Sequence, residues 1–167
     1  MKRPRGLNHV AYVTTDTAAT KRFYTEILGM KLVGHAIDDS VGSTGEQTRF
    51  LHTFFEMGDG SCIAFFEIEG QLLDHHDSPL PRWAPHLALS VGSMDELNAA
   101  HQRLLGEGIK VRGVIDHEGT WKSIYFFDPN GVRLELTYQV RQLNDDDAAA
   151  ATTAVAQWIS EHTTSTS

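Results

Sequence analysis

The chain has 167 residues, a formal net charge of −8 and 41% hydrophobic residues, which fits one domain or two small fused modules with an ordinary buried core. The acidic balance argues against a nucleic-acid partner, because phosphate binding needs a basic patch. No stretch approaches the roughly 20 apolar residues of a membrane span, and the single cysteine, Cys62, excludes an internal disulfide framework. Met1-Lys2-Arg3-Pro4-Arg5-Gly6 has no apolar run behind it, so no secretory signal is expected and the chain reads as soluble and cytoplasmic.

In chain order, Leu7 to Val13 reads as a strand. Asp16 is the expected N-cap of a helix from Thr17 to Leu28, with Gly29 as its stop. Met30–Ile37, Thr48–Met57 and Ser61–Ile68 read as three more strands, with a polar loop from Asp38 to Gln47 and a tight turn at Gly58-Asp59-Gly60. Residues 70–81, with Pro79 and Pro81, read as a linker. His75-His76 lies there between Asp74 and Asp77 and reads as a solvated loop. The plan then repeats: strand Trp83–Val91, capping box Ser93/Glu96, helix Met94–Leu105 with a stop at Gly106, and strands Ile109–Ile115, Trp121–Phe127 and Val132–Tyr138. Beyond Tyr138, Asn144-Asp145-Asp146-Asp147 caps a helix over Ala148–Ile159, whose apolar side would dock on the domain or on a partner. A disordered Thr/Ser tail is expected after it.

The repeat has a register. His9 and His86, Asp16 and Ser93, and Gly29 and Gly106 are each 77 positions apart (86 − 9, 93 − 16, 106 − 29). Duplicated units bury a core that neither could bury alone. The expectation is therefore an α+β fold of two tandem βαβββ modules (1–69 and 82–140) forming a cupped mixed sheet around a metal site, with a C-terminal helix and tail over 141–167, all in one structural domain.

Asp128-Pro129-Asn130-Gly131 is a strong hairpin turn, because Pro fixes φ and Asn-Gly tolerates positive φ. The strand after it carries Glu135 among Val132, Leu134 and Leu136, where a carboxylate is expensive unless paired or metal-bound. By strand parity His9 shares a face with Ala11, and His86 shares one with Ala88 and Ser90, small residues that leave room for a ligand. Two imidazoles and one carboxylate meeting near the pseudo-axis would be a facial triad with open positions suited to Fe(II). Mn(II), Zn(II) or Ni(II) are the other candidates. At the shorter hairpin offset of 71 (131 − 60), Glu135 maps to Ala64, so three protein ligands are expected, with Glu67 on the opposite face.

With these residues the sequence resembles the vicinal oxygen chelate superfamily, which includes glyoxalases, extradiol ring-cleaving dioxygenases and bleomycin- and fosfomycin-resistance proteins. The resemblance runs from Leu7 to Tyr138 and is carried by Leu7-Asn8-His9-Val10-Ala11-Tyr12-Val13, by Phe23-Tyr24-Thr25-Glu26-Ile27-Leu28-Gly29-Met30 and by Asp128-Pro129-Asn130-Gly131. It implies metal ligands at His9, His86 and Glu135. His117, Ile124-Tyr125, the Pro-x-Gly turn and Glu135 are similar to the extradiol dioxygenase signature. That implies an Fe(II) enzyme cleaving a catechol-type diol with O₂, with His117 as acid/base and Tyr125 as hydrogen-bond donor, and a homodimer. His117 at a strand end reads equally as a solvated side chain, and Tyr125 as a core tyrosine. His52, Phe54, Phe66, Trp121 and Ser123 are the expected pocket lining. Cys62 reads as a structural thiol, and Arg133 either steers an anionic substrate or forms a surface charge pair. The alternatives are a glyoxalase-like metal-dependent lyase or isomerase, and a non-catalytic small-molecule-binding resistance protein.

Overall fold

The computed structural model describes residues 2–71 and 81–163. In chain order the elements are β1 (His9–Thr14), α1 (Thr17–Arg22) continuing as a π-helical turn (Phe23–Ile27), β2 (Lys31–Asp38), β3 (Phe50–Glu56), β4 (Cys62–Ile68), β5 (Leu87–Ser90), α2 (Met94–Gly106), β6 (Arg112–His117), β7 (Trp121–Phe127), β8 (Arg133–Gln139) and α3 (Asp145–Thr163). Each half is β-α-β-β-β, as the repeat predicts. Most of the predicted linker, including His75 and His76, lies outside the described residues, as does the chain after Thr163.

The caps form as expected. Asp16 accepts from the Ala19 N–H at 2.9 Å, and Ser93 from the Glu96 N–H at 3.1 Å. The Glu96 carboxylate in turn accepts from the Gly92 N–H at 2.6 Å, so the predicted box closes one residue early, outside the Ser93 N–H. The second helix stop differs from expectation. Gly29 has φ +74°, but its counterpart in the left-handed region is Gly108 at +75°, while Gly106 is the last helical residue. The Ile109 N–H bonds to the Leu104 carbonyl at 3.0 Å and the Gly108 N–H to the Leu105 carbonyl at 3.0 Å, a closure that needs the positive φ at Gly108.

The strands form two separate four-stranded sheets, ordered β1-β4-β3-β2 and β5-β8-β7-β6. In both, the first strand runs parallel to the last and forms one edge; the other neighbours are antiparallel. The register rows Ala11–Ala64–Phe54 and Ala88–Glu135–Tyr125 are equivalent, which places Ala64 where the second module has Glu135. Glu67 pairs with Thr14 and caps α1, accepting from the Thr17 N–H at 2.9 Å.

The core draws on both modules. Tyr24 is fully buried and packs its ring on Phe55 and Phe65, at 5.3 and 5.0 Å between centroids; Phe23 lies 6.3 Å from Phe126. Ile63, Leu97, Leu104, Ile124 and Leu134 complete it. Across the module boundary, the Tyr24 hydroxyl donates to Asp128 Oδ2 at 3.0 Å, and Asp128 Oδ1 accepts from the backbone N–H groups of Asn130 and Val132, each at 2.8 Å. Asn130 Nδ2 donates to Thr20 Oγ1 and to Asp128 Oδ2, both at 3.0 Å. The turn at 128–131 is thus also the clasp between modules. Burial pushes the Asp128 carboxyl above the usual carboxylate range, and the hydrogen bonds that favour its charge do not cancel this.

α3 is longer than expected because Asp145, Asp146 and Asp147 lie within its first turn, where carboxylates complement the helix dipole. Asn144 caps it, accepting from the Asp146 and Asp147 N–H groups at 2.9 and 3.1 Å. Val155 and Trp158 are exposed.

Removing one donor from a buried charge-assisted cluster costs about 1.5–3 kcal/mol, so Tyr24→Phe should lower the urea midpoint by that equivalent at unchanged m-value. The native Asp128 carboxyl also keeps its proton to higher pH than the unfolded one. Its stabilising contribution is therefore full below about pH 4 and lost as pH rises through the shifted value. Denaturation of wild type and Asp128→Asn from pH 4 to 8 should show wild type losing stability relative to the variant with increasing pH; parallel curves would overturn this.

Candidate metal and substrate site

Register places the chemistry of the second module on one sheet face: Ala88, Glu135 and Tyr125 in one row, Ser90, Thr137 and Ser123 in the next. His86 precedes the first paired residue of β5 and is level with Arg133. This face is open, with His86, Ala88 and Ser90 exposed, while Glu135 is 6% exposed at its floor.

His86 Nε2 lies 2.9 Å from Glu135 Oε2. The other ring nitrogen, Nδ1, is 2.9 Å from the Ala84 carbonyl. A carbonyl can only accept, so Nδ1 carries a proton, and in the neutral ring Nε2 presents a lone pair. A nitrogen and a carboxylate oxygen then face each other as two donors to one cation. Metal bonds of about 2 Å, at roughly a right angle, would put such atoms about 3 Å apart. A backbone carbonyl orienting the far nitrogen is the usual outer support of a metal-binding histidine. The pair therefore fits a divalent ion.

His117 ends β6, half-buried, and its Nε2 is 2.9 Å from the Tyr125 hydroxyl. The Tyr125 ring lies 5.9 Å from that of His86 and 6.2 Å from that of His117. Burial, then the negative charge of Glu135, push the Tyr125 hydroxyl above its usual value, so at neutral pH it is a protonated donor. Ser123 is buried and bonded to Thr137 at 2.9 Å, and Trp121 pairs with His117 across the hairpin.

The first module carries the rest of the predicted set. His9 is exposed, with Nδ1 2.7 Å from Asn8 Oδ1, an acceptor that puts a proton on Nδ1. Beside it stand His52, stacked on Phe66 at 3.6 Å, and Phe54, 5.6 Å from the His9 ring and 4.2 Å from that of His52. Among the described residues the buried His52 Nε2 has no hydrogen-bond partner, and burial, then His9, lower the ring's pKa. Cys62 is half-buried, and burial followed by Glu56 and Asp59 pushes its thiol up, away from a reactive thiolate.

The expected convergence of His9, His86 and Glu135 within one chain does not occur. Among the described residues no three His, Cys, Asp or Glu side chains surround a common metal position. The physical reason is the clasp. The modules join through α1 and the 128–131 turn, while β1 and β5 remain separate sheet edges, so the two faces are not closed on each other. A cavity of about 760 Å³ between the modules, lined by Met30, Leu87, Arg103 and Leu136 among others, contains none of the three. Sequence reasoning missed Asn8 and the Ala84 carbonyl as orienting groups; the place of Asn8 directly before a candidate ligand was the available signal.

A family model described as the Glyoxalase/Bleomycin resistance protein/Dioxygenase superfamily matches residues 6–136. The chain is 26% identical to an iron-dependent extradiol dioxygenase of Rhodococcus jostii, over 92% of this chain and 50% of that protein. It is 28% identical to a biphenyl-2,3-diol 1,2-dioxygenase of Paraburkholderia xenovorans, over 84% and 43%, so it spans about half the length of these curated relatives. The metallothiol transferase FosB of Bacillus licheniformis is 29% identical, over 78% of this chain and 73% of that protein. Among solved structures, a glyoxylase/bleomycin resistance protein/dioxygenase domain from Frankia sp. EAN1pec aligns with a TM-score of 0.65 at 24% identity, over 82% of this chain and 99% of that one.

Proposed function

The chain belongs to the Glyoxalase/Bleomycin resistance protein/Dioxygenase superfamily, and on that footing we propose that it is an Fe(II)-dependent extradiol dioxygenase opening a catechol-type aromatic diol with O₂. The observation that carries this reading is the His117–Tyr125 hydrogen bond, set on the same sheet face as the His86–Glu135 pair. A metal site alone would suit any member of the superfamily. A histidine and a protonated tyrosine beside it supply what ring opening also needs, a group that moves a proton and a donor to an oxygen. Fe(II) is the ion proposed, with Mn(II), Zn(II) and Ni(II) compatible with the same ligands.

The third ligand, in this proposal, is His9 of a second copy. His9 at the β1 edge and His86, Ala88 and Ser90 at the β5 edge are exposed, and unpaired edges favour association. A two-fold pairing that sets β1 of each copy beside β5 of the other builds two equal sites. It also brings the His52–Phe54–Phe66 wall over the face that holds Glu135, giving an aromatic substrate a flat apolar contact.

The metal, when bound, supplies Lewis acidity and a template for the two vicinal oxygens. The Ala84 carbonyl and Asn8 hold the ligand imidazoles in one tautomer. Tyr125 donates its proton to an oxygen of the substrate, and His117, 2.9 Å from the hydroxyl, takes or returns a proton there. The aromatic wall keeps water from the ring.

A glyoxalase-like metal-dependent lyase or isomerase is the second reading. One observation favours a superfamily member other than a dioxygenase: the alignment to FosB, a metallothiol transferase, covers 73% of that protein, against about half of the dioxygenases. A non-catalytic binding protein is the third.

Protein loaded anaerobically with Fe(II) and screened against catechols should consume O₂ and release a coloured ring-fission product. Oxygen-independent turnover would support the lyase or isomerase, and ligand binding without metal the binding protein. His117→Gln should lower kcat by about 10²–10⁴-fold while metal content stays unchanged. His9→Ala and Glu135→Ala should each be inactive alone. Mixed after unfolding and refolding, they should regain about one quarter of wild-type activity, since half the dimers are mixed and each has one intact site of two. No recovery would place all three ligands in one chain.

A further inference from the structure

Arg133 is the first residue of β8, level with His86 and two positions before Glu135 on the same face. Its guanidinium carbon lies 4.2 Å from the centroid of the Tyr125 ring. One N–H group donates to the Trp83 carbonyl, which anchors the fork beside the site. Three other arginines pair with carboxylates: Arg22 with Glu107, Arg49 with Asp39 and Arg141 with Asp147, each at 2.7 Å. Among the described residues Arg133 has no carboxylate within ion-pair distance, although it is half-buried. A second guanidinium, Arg82, lies 5.0 Å from the ring centroid of Phe127, the cross-strand neighbour of Arg133.

A half-buried guanidinium fork with no carboxylate partner among the described residues, in a chain of net charge −8, is available to an anion. It favours a planar anion, because the N–H groups not used on Trp83 can meet a carboxylate in a two-point contact that lysine cannot reproduce. Arg133 sits beside His86 on the neighbouring strand and over the Tyr125 ring, so the fork borders the face that holds the His86–Glu135 pair.

We propose that Arg133, supported by Arg82, is a specificity-determining anion clamp, and that the substrate is an aromatic diol bearing a carboxylate. This rests on the dioxygenase reading above. The diol end lies at His86 and Glu135 and the carboxylate at Arg133, which adjoins His86 on the next strand and covers the Tyr125 ring. Without an anion on the substrate, the fork would stay hydrated and add nothing to binding.

The test is anaerobic calorimetric titration of the Fe(II)-loaded protein with 3,4-dihydroxyphenylacetate and with 4-methylcatechol, using wild type, Arg133→Met and Arg133→Lys. Wild type should bind the carboxylated catechol about 10- to 100-fold more tightly, and the preference should shrink as salt is raised. Arg133→Met should abolish the preference while binding 4-methylcatechol within about threefold of wild type; Arg133→Lys should retain only part of it. Should the Met variant fail to fold by circular dichroism, the Lys variant and the wild-type salt dependence decide. Equal wild-type affinity for the two ligands, or an equal loss of both on substitution, would overturn the clamp and leave the dioxygenase reading standing. Binding of neither catechol would overturn both.

Discussion

The structure depends on one buried carboxylate. Asp128 is 5% exposed, and a carboxylate so placed persists only if donors surround it. Those donors come from both modules: Tyr24 from the first, the Asn130 and Val132 N–H groups from the second, with Asn130 reaching back to Thr20. Satisfying the charge fixes how the modules sit on each other. It draws α1 onto the β7–β8 turn and shares one apolar core between two units too small to bury one each. It also leaves the β1 and β5 edges apart, and the faces that carry the ligating side chains open.

That arrangement explains the divided site. Each face holds part of a functional set, and each part is locally prepared. On the second module an imidazole and a carboxylate stand 2.9 Å apart, with a backbone carbonyl orienting the far ring nitrogen. On the first, an imidazole oriented by Asn8 stands beside an aromatic wall. A proton or a cation lies between two such atoms, and a metal position there would need further ligands. The proposed second copy of the chain answers that need with residues already placed.

The equivalent positions of the repeat show how labour is divided. Where the second module has Glu135 and Tyr125, the first has Ala64 and Phe54. One sheet carries the charged and hydrogen-bonding side chains; its twin carries apolar ones around the exposed His9. Arg133 continues the pattern, since Cys62, paired with His9, is its counterpart in register. A symmetric scaffold thus carries two chemically different faces.

The sequence by itself determined the local structure and the ligand inventory. Caps at Asp16 and Ser93, the turn at 128–131, strand parity and the 77-residue offset depend on near neighbours and on side-chain periodicity, which are written directly in residue order. They placed His86, Glu135, Tyr125 and His117 on neighbouring strands and Ala64 opposite Glu135. The exact second helix stop was less legible, because Gly106 and Gly108 differ only in which one the closing hydrogen bonds select. Only the tertiary structure decided that His9 stands apart from His86 and Glu135, and that Asp128 is a clasp as well as a turn residue. Those outcomes follow from where donors separated by about a hundred residues find a buried charge, as Tyr24 does at a separation of 104 from Asp128. Residue order carries no period or spacing that encodes such a meeting.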